Sequence, residues 1–177
     1  NLNKTDLDVK GVAFEQFMDG FFKGDFGQYF TPRPIIEFAV KMMKPEHDWD
    51  VLDPACGSGG FLLHALDYMR SQASEYYDKD TVDYFNYWHD FASKHLYGIE
   101  INDEIARVAK MNMIVHDDGH TNVISFDALD SIDKMHDHNR GFEAGKFDLI
   151  LTNPPFGSTI TKAEKPYLAN YELGKTK

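Results

Sequence analysis

The chain has one cysteine, Cys56, in 177 residues. A single thiol excludes an internal disulfide and cannot by itself form a thiolate zinc site, and a reducing compartment fits that usage. No apolar run approaches the roughly 20 residues needed to cross a bilayer, and no basic-then-apolar leader follows Asn1. The sequence therefore predicts a cytoplasmic protein without membrane contact. Positive charge is scarce too: 18 Lys and Arg stand against 29 Asp and Glu, a formal net charge of −11. That balance disfavours a general basic surface able to grip nucleic acid unaided. If the substrate is nucleic acid, a partner must supply most of the hold.

Core-forming residues are plentiful. The chain is 42% hydrophobic with 14 Phe and 9 Tyr, enough for a single domain with a sizeable core. Its organising stretch is Asp53-Pro54-Ala55-Cys56-Gly57-Ser58-Gly59-Gly60-Phe61, which joins a short apolar strand (Val51, Leu52) to an amphipathic helix through three glycines. A strand ending in such a bend lets a ligand approach bare backbone and the N–H groups of the next helix. The carboxylate of Asp53 at the strand end would repel a pyrophosphate and suit a ligand with positive charge.

Before that turn, Phe14, Phe17, Met18, Phe21 and Phe22 mark an amphipathic helix beginning after Asp6. Thr31 and Pro32 occupy positions suited to an N-cap and a first helical turn. The helix that follows carries the stripe Ile35, Phe38, Ala39, Met42 and Met43. After the turn, Leu62, Leu63, Ala65, Leu66 and Met69 continue helically. An aromatic-rich insertion then predicts an extra helix over residues 81–94, its rings serving packing rather than base stacking. Glu100 consequently lies about twice as far from the turn as the roughly 20 residues of a bare strand-helix-strand unit.

Residues 96–101 predict a second strand ending in Glu100, and Asn102 or Asp103 starts a helix with Ile105, Val108, Ala109 and Met113. Since those two residues already meet the need for a cap, Glu100 is left for a ligand, and an acid at this place commonly accepts from ribose hydroxyls. Residues 122–125 predict a third strand leading to Asp127, with 130–146 polar and loop-like. His116, His120, His136 and His138 read as solvated loop and helix-end residues, and no metal site is expected. A fourth strand over 147–152 delivers Asn153-Pro154-Pro155-Phe156. Alternation of strand and helix predicts an α/β fold, an open parallel sheet flanked by helices whose ligands lie at the carboxyl ends of the strands.

The fourth motif is the most specific. Two prolines fix the backbone and remove its N–H donors, leaving the Asn153 side-chain oxygen and the Pro154 carbonyl as acceptors for one –NH2 group, with Phe156 offering a stacking face. A planar aromatic amine matches this array. Its lone pair is delocalised into the ring, and acceptors outside the ring plane favour a pyramidal nitrogen able to attack an electrophile. A methyl sulfonium such as S-adenosylmethionine would supply one, its nucleoside meeting Glu100 and Asp127 and its cationic end Asp53.

Taken in order, Gly27-Gln28-Tyr29-Phe30-Thr31-Pro32, residues 53–61, Glu100, Asp127 and Asn153 to Phe156 resemble the amino-methylating DNA methyltransferases. In particular they resemble the modification (M) subunit of type I restriction-modification systems, over about residues 9–158. The resemblance implies a Rossmann-like fold and methyl transfer from S-adenosylmethionine to the exocyclic amino group of adenine in double-stranded DNA. It further implies that Phe30, Thr31 and Pro32 contact the cofactor's methionine end, that Asp53, Ala55, Gly57 and Gly59 form its turn, and that Glu100 meets its ribose and Ile101 and Asp127 its adenine. Asn153, Pro154, Pro155 and Phe156 would hold the flipped base. Separate specificity (S) and restriction (R) subunits are the implied partners. The family's sheet continues past the Asn153 turn, so a catalytic-domain fragment is expected: a helical lead-in over 1–26, a cofactor-binding core over 27–158 and a polar tail over 159–177.

Alternatives stay open at this point. Asn-Pro-Pro-aromatic turns also serve methyltransferases acting on RNA bases or a protein glutamine, and a non-catalytic module could keep the pocket for assembly. A cytosine-ring methyltransferase is disfavoured because Cys56 lies in the cofactor turn. A nicotinamide dehydrogenase would leave residues 153–156 idle.

Overall fold

A computed structural model describes residues 31–116, 122–155, 165–169 and 171–172. The helix expected after Asp6, Phe30 and Phe156 lie outside the described residues. The elements are α1 (Arg33–Met43), β1 (Val51–Asp53), α2 (Gly60–Tyr76), α3 (Val82–His95), β2 (Leu96–Glu100), α4 (Asp103–Val115), β3 (Val123–Ser125), α5 (Ile132–His138), β4 (Leu149–Ile150) and α6 (Lys165–Leu168).

The four strands pair in the order β3-β2-β1-β4, all parallel. Chain order thus runs outward from β1 through β2 to β3 and then jumps back to the other side of β1. The reversal lies between β1 and β4, and in open parallel sheets such a reversal opens a crevice at the strands' carboxyl ends. The register Leu52↔Ile150, continued by the Leu151 N–H donating to the Leu52 carbonyl at 3.0 Å, brings the chain after Asp53 beside the chain after Leu151.

Two apolar layers sandwich the sheet. One joins Ile36 and Val40 of α1, Leu62, Leu66 and Met69 of α2, Phe91 of α3 and Ala109 and Met113 of α4 to Val51, Leu96, Val123 and Leu149. The other packs Met135 of α5 and Phe142 on Leu52, Tyr97, Ile99 and Ile124. α2 lies so close to β2 that a Cβ at Gly98 would sit 2.8 Å from Leu62 Cδ1, which only glycine avoids.

Several expectations change. α1 buries Ile36 and Val40, while Ile35, Phe38, Met42 and Met43 are exposed. The helix is apolar on more than one side, and periodicity alone could not choose which side faces the sheet. The stretch after Asp130 is not all loop: Ser131 caps α5, its hydroxyl accepting from the Lys134 N–H. In the aromatic insertion, Thr81 caps α3 and Trp88 and Phe91 are buried, with the Arg70 guanidinium 4.1 Å from the Trp88 ring. Phe85 and Tyr76 remain exposed.

Candidate active site

The turn after β1 is built from its own hydrogen bonds. The Ala55 N–H donates to Asp53 Oδ1 at 3.1 Å, the Cys56 N–H to the Ile99 carbonyl at 2.9 Å, and the Gly59 N–H to the Cys56 carbonyl at 2.8 Å. Gly57 at φ 53° and Gly59 at φ 89° take left-handed backbone that a side chain would strain, and Gly59 is the residue from which α2 starts. The Gly57 N–H donates to Glu100 Oε2 at 3.1 Å and the Asn102 N–H to Glu100 Oε1 at 2.9 Å.

Glu100 therefore has a structural task that the sequence did not reveal. Asn102 is indeed the cap of α4, its Oδ1 accepting from Glu104 and Ile105 N–H groups, but the Glu100 carboxylate ties the glycine turn to the start of that helix. Each of its oxygens has room for a further donor. A second positioning residue was also missed: Asn112, buried on α4, donates from Nδ2 to the Ser58 carbonyl at 2.9 Å. A polar residue among Ile105, Ala109 and Met113 on an inward stripe was the signal that could have exposed it.

Burial also sets the charge of this edge. Asp53 is only 1% exposed, and desolvation raises its carboxyl from the ordinary 3.8 to about 7, with the Glu100 charge pushing the same way. The Ala55 N–H, donating to the Asp53 carboxylate, holds back part of that rise. A cation placed here would restore the ionised form. Cys56 is buried, and burial pushes its thiol up, with the Asp53 and Glu100 charges adding to the shift, so it is no nucleophile.

The remaining motifs gather at the same edge. The Phe126 N–H donates to the Glu100 carbonyl at 3.0 Å, which brings Asp127 next to the end of β2; Asp127 Oδ1 accepts from the Leu129 N–H at 2.9 Å. Ile101, just past Glu100, is exposed, an apolar side chain at the carboxyl edge. Asn153, Pro154 and Pro155 emerge exposed beyond β4. Thr31 is not the expected cap. Pro32 takes the N-cap position of α1 without a side-chain bond, and its carbonyl accepts from Ile35 and Ile36 N–H groups. Thr31 Oγ1 instead accepts from Asn153 Nδ2 at 3.0 Å. α1 also reaches the glycine turn, because a Cβ at Gly60 would lie 3.1 Å from Ile36 Cδ1.

Of the histidines expected to be solvated, His136 Nδ1 is 3.1 Å from the Phe142 carbonyl and the exposed His138 ring tilts against Phe126, but His116 is buried at the end of α4, its Nδ1 2.7 Å from the Asn112 carbonyl one turn back. His120 lies outside the described residues.

The sequence matches the model of the N-6 DNA methylase family over residues 5–174. It is 33% identical over 148 residues to the methylase subunit of the type I restriction enzyme StySPI of Salmonella potsdam, covering 77% of this chain and 24% of that one. The structure is similar to the EcoKI M protein, a type I restriction enzyme component, with TM-score 0.58 and 31% identity over 78% of this chain and 27% of that one. It is also similar to the modification subunit assigned to a type I restriction enzyme of Vibrio vulnificus YJ016, with TM-score 0.65 and 28% identity over 90% of this chain and 30% of that one. The chain thus spans about a quarter of the length of the methylase subunit that it matches.

Proposed function

Because the chain belongs to the N-6 DNA methylase family, we propose that its carboxyl edge transfers a methyl group from S-adenosylmethionine to the exocyclic amino group of adenine in DNA, within the M subunit of a type I restriction-modification system. The observation that carries this proposal is the meeting, at the reversal of one parallel sheet, of a glycine turn backed by the buried acids Asp53 and Glu100 with an exposed Asn-Pro-Pro turn held through Thr31.

The edge suits the cofactor chemically. Burial disfavours the Asp53 charge, and a cation beside it would favour the ionised form. Glu100 keeps acceptor capacity for ribose hydroxyls, while the exposed Ile101 and the nearby Asp127 offer a flat apolar contact and an acceptor for an adenine ring. When bound, the cofactor supplies an electrophilic methyl carbon. Asn153 Oδ1 and the Pro154 carbonyl accept from the target amino group, favour its pyramidal form and stabilise the positive charge on nitrogen until a proton leaves. Phe156 follows in sequence and supplies the kind of ring on which an extruded base stacks.

With 29 acidic against 18 basic residues, this chain brings little of the phosphate attraction that supports base flipping. An S subunit would read the sequence and hold the duplex, and an R subunit would complete the assembly. The test is labelled-methyl transfer by the full-length protein with its partners, offered DNA, RNA and protein. Label on adenine N6 of DNA is expected. Label confined to RNA or to glutamine amides would overturn the substrate, and bound cofactor with no acceptor labelled would leave an assembly module.

A further inference from the structure

Thr31 and Asn153 are separated by 122 positions, yet the Asn153 Nδ2 donates to the Thr31 hydroxyl oxygen at 3.0 Å. A carboxamide is planar, and a hydrogen bond to its –NH2 end restricts rotation of the whole group and fixes where its oxygen points. We propose that Thr31 is a positioning residue for the transfer reaction: it holds the Asn153 amide by nitrogen and so presents Oδ1 to the substrate amine. The proposal rests on the methyl-transfer function proposed above.

Three observations support it. The Thr31 hydroxyl does not perform the local task its residue type suggests, since α1 starts from Pro32 with no side-chain cap. Thr31 also precedes a well-anchored element: α1 buries Ile36 and Val40 in the main core, and Ile36 packs beside Gly60 at the start of α2. Asn153 by contrast is exposed on the segment after a strand of two residues. The prolines at 154 and 155 stiffen that segment's backbone without restraining the Asn153 side chain. A contact from the half-buried Thr31 thus couples the acceptor turn to the helix that adjoins the cofactor turn.

A hydroxyl can meet either end of the amide, as acceptor or as donor, and the bond formed here puts nitrogen on Thr31. With nitrogen on Thr31, the lone pairs of Oδ1 are free for the incoming –NH2. An unrestrained amide would spend time with its own –NH2 facing that group, donor against donor, and transfer would slow without any loss of substrate contacts elsewhere.

The experiment compares Thr31→Val, Thr31→Ser and Asn153→Ala in the full-length protein assembled with its partners. It measures single-turnover methyl transfer to DNA, S-adenosylmethionine affinity by titration calorimetry, and the melting temperature. Thr31→Val keeps the shape and removes the acceptor; at saturating S-adenosylmethionine it should still slow transfer by about ten- to a hundredfold, the scale of a misplaced reacting group, whatever affinity is lost with Thr31's expected contact to the cofactor's methionine end. Thr31→Ser should restore most of the rate. If Thr31→Val transfers at the normal rate, or loses rate only in proportion to weakened cofactor binding, the positioning role is overturned. Failure of Thr31→Ser to recover a rate lost by a folded Thr31→Val would overturn it as well. Asn153→Ala distinguishes this from failure of the underlying function: if that variant still transfers normally, the methyl-transfer site itself has been misassigned.

Discussion

The two halves of the edge are built differently. On the β1–β2 side, Asp53 and Glu100 are 1% and 6% exposed, and their carboxylates accept from the Ala55, Gly57 and Asn102 N–H groups. On the β4 side, Asn153, Pro154 and Pro155 are exposed, and the Asn153 amide reaches Thr31. A cofactor is the same in every turnover, and a pocket set in advance by buried backbone bonds suits it. The proposed acceptor, DNA, must enter and leave, and an open half with few contacts suits it. Substitutions on the first side should therefore alter stability and binding together. Those on the second should alter chemistry with little change in stability.

The largest stability effect should come from Asp53. Its folded carboxyl is raised to about 7 from the ordinary 3.8, so between those values the native state holds a proton that the unfolded chain has lost. That contribution is complete below about pH 4 and disappears as pH rises through 7. Relative to Asp53→Asn, the wild type should lose up to roughly 4 kcal/mol between pH 4 and 8. Denaturant titrations of both proteins across that range would reveal it, and equal pH slopes would count against it. Cofactor affinity should run the other way, strengthening toward pH 8 as the ionised acid becomes available to a cation.

Glu100→Ala should weaken S-adenosylmethionine by about 1.5 to 3 kcal/mol, the range for hydrogen bonds to a charged acceptor, and should also destabilise the free protein because two N–H groups lose their acceptor. Calorimetry together with melting would separate the two. An affinity loss in a protein of unchanged stability would mean that the Glu100 bridge to Gly57 and Asn102 carries no weight. Gly98→Ala should cost about 1 to 3 kcal/mol in denaturant unfolding, because its Cβ would meet Leu62 Cδ1 at 2.8 Å and Cys56 Sγ of the glycine turn at 3.2 Å. The smallest change belongs to the open side: Asn153→Ala should shift stability by no more than about 0.5 kcal/mol.

Much of the buried side was legible in the sequence. Apolar runs ending in Asp53 and Glu100 gave strand ends, three clustered glycines gave the turn, and the Ile105, Ala109 and Met113 spacing gave α4. What escaped was set by distant partners or by too few residues. α5 spans only seven residues, with Ile132 and Met135 as its apolar pair, too short for periodicity to register. Thr31 before Pro32 has the local form of a cap, and its contact across 122 positions exists only in the folded chain. Glu100 appeared free because Asn102 met the need for a cap; its bond to the Gly57 N–H, 43 positions back, depends on how β1 and β2 align.

The division between the two halves is tested most directly by measuring cofactor affinity and single-turnover methyl transfer side by side for Asn153→Ala and Glu100→Ala in the full-length assembly. Asn153→Ala should lower transfer by about a hundred- to a thousandfold with cofactor affinity within about threefold, while Glu100→Ala should lose affinity first and recover much of its rate at saturating cofactor. Equal loss of cofactor binding in both variants, or undiminished transfer by Asn153→Ala, would contradict the division.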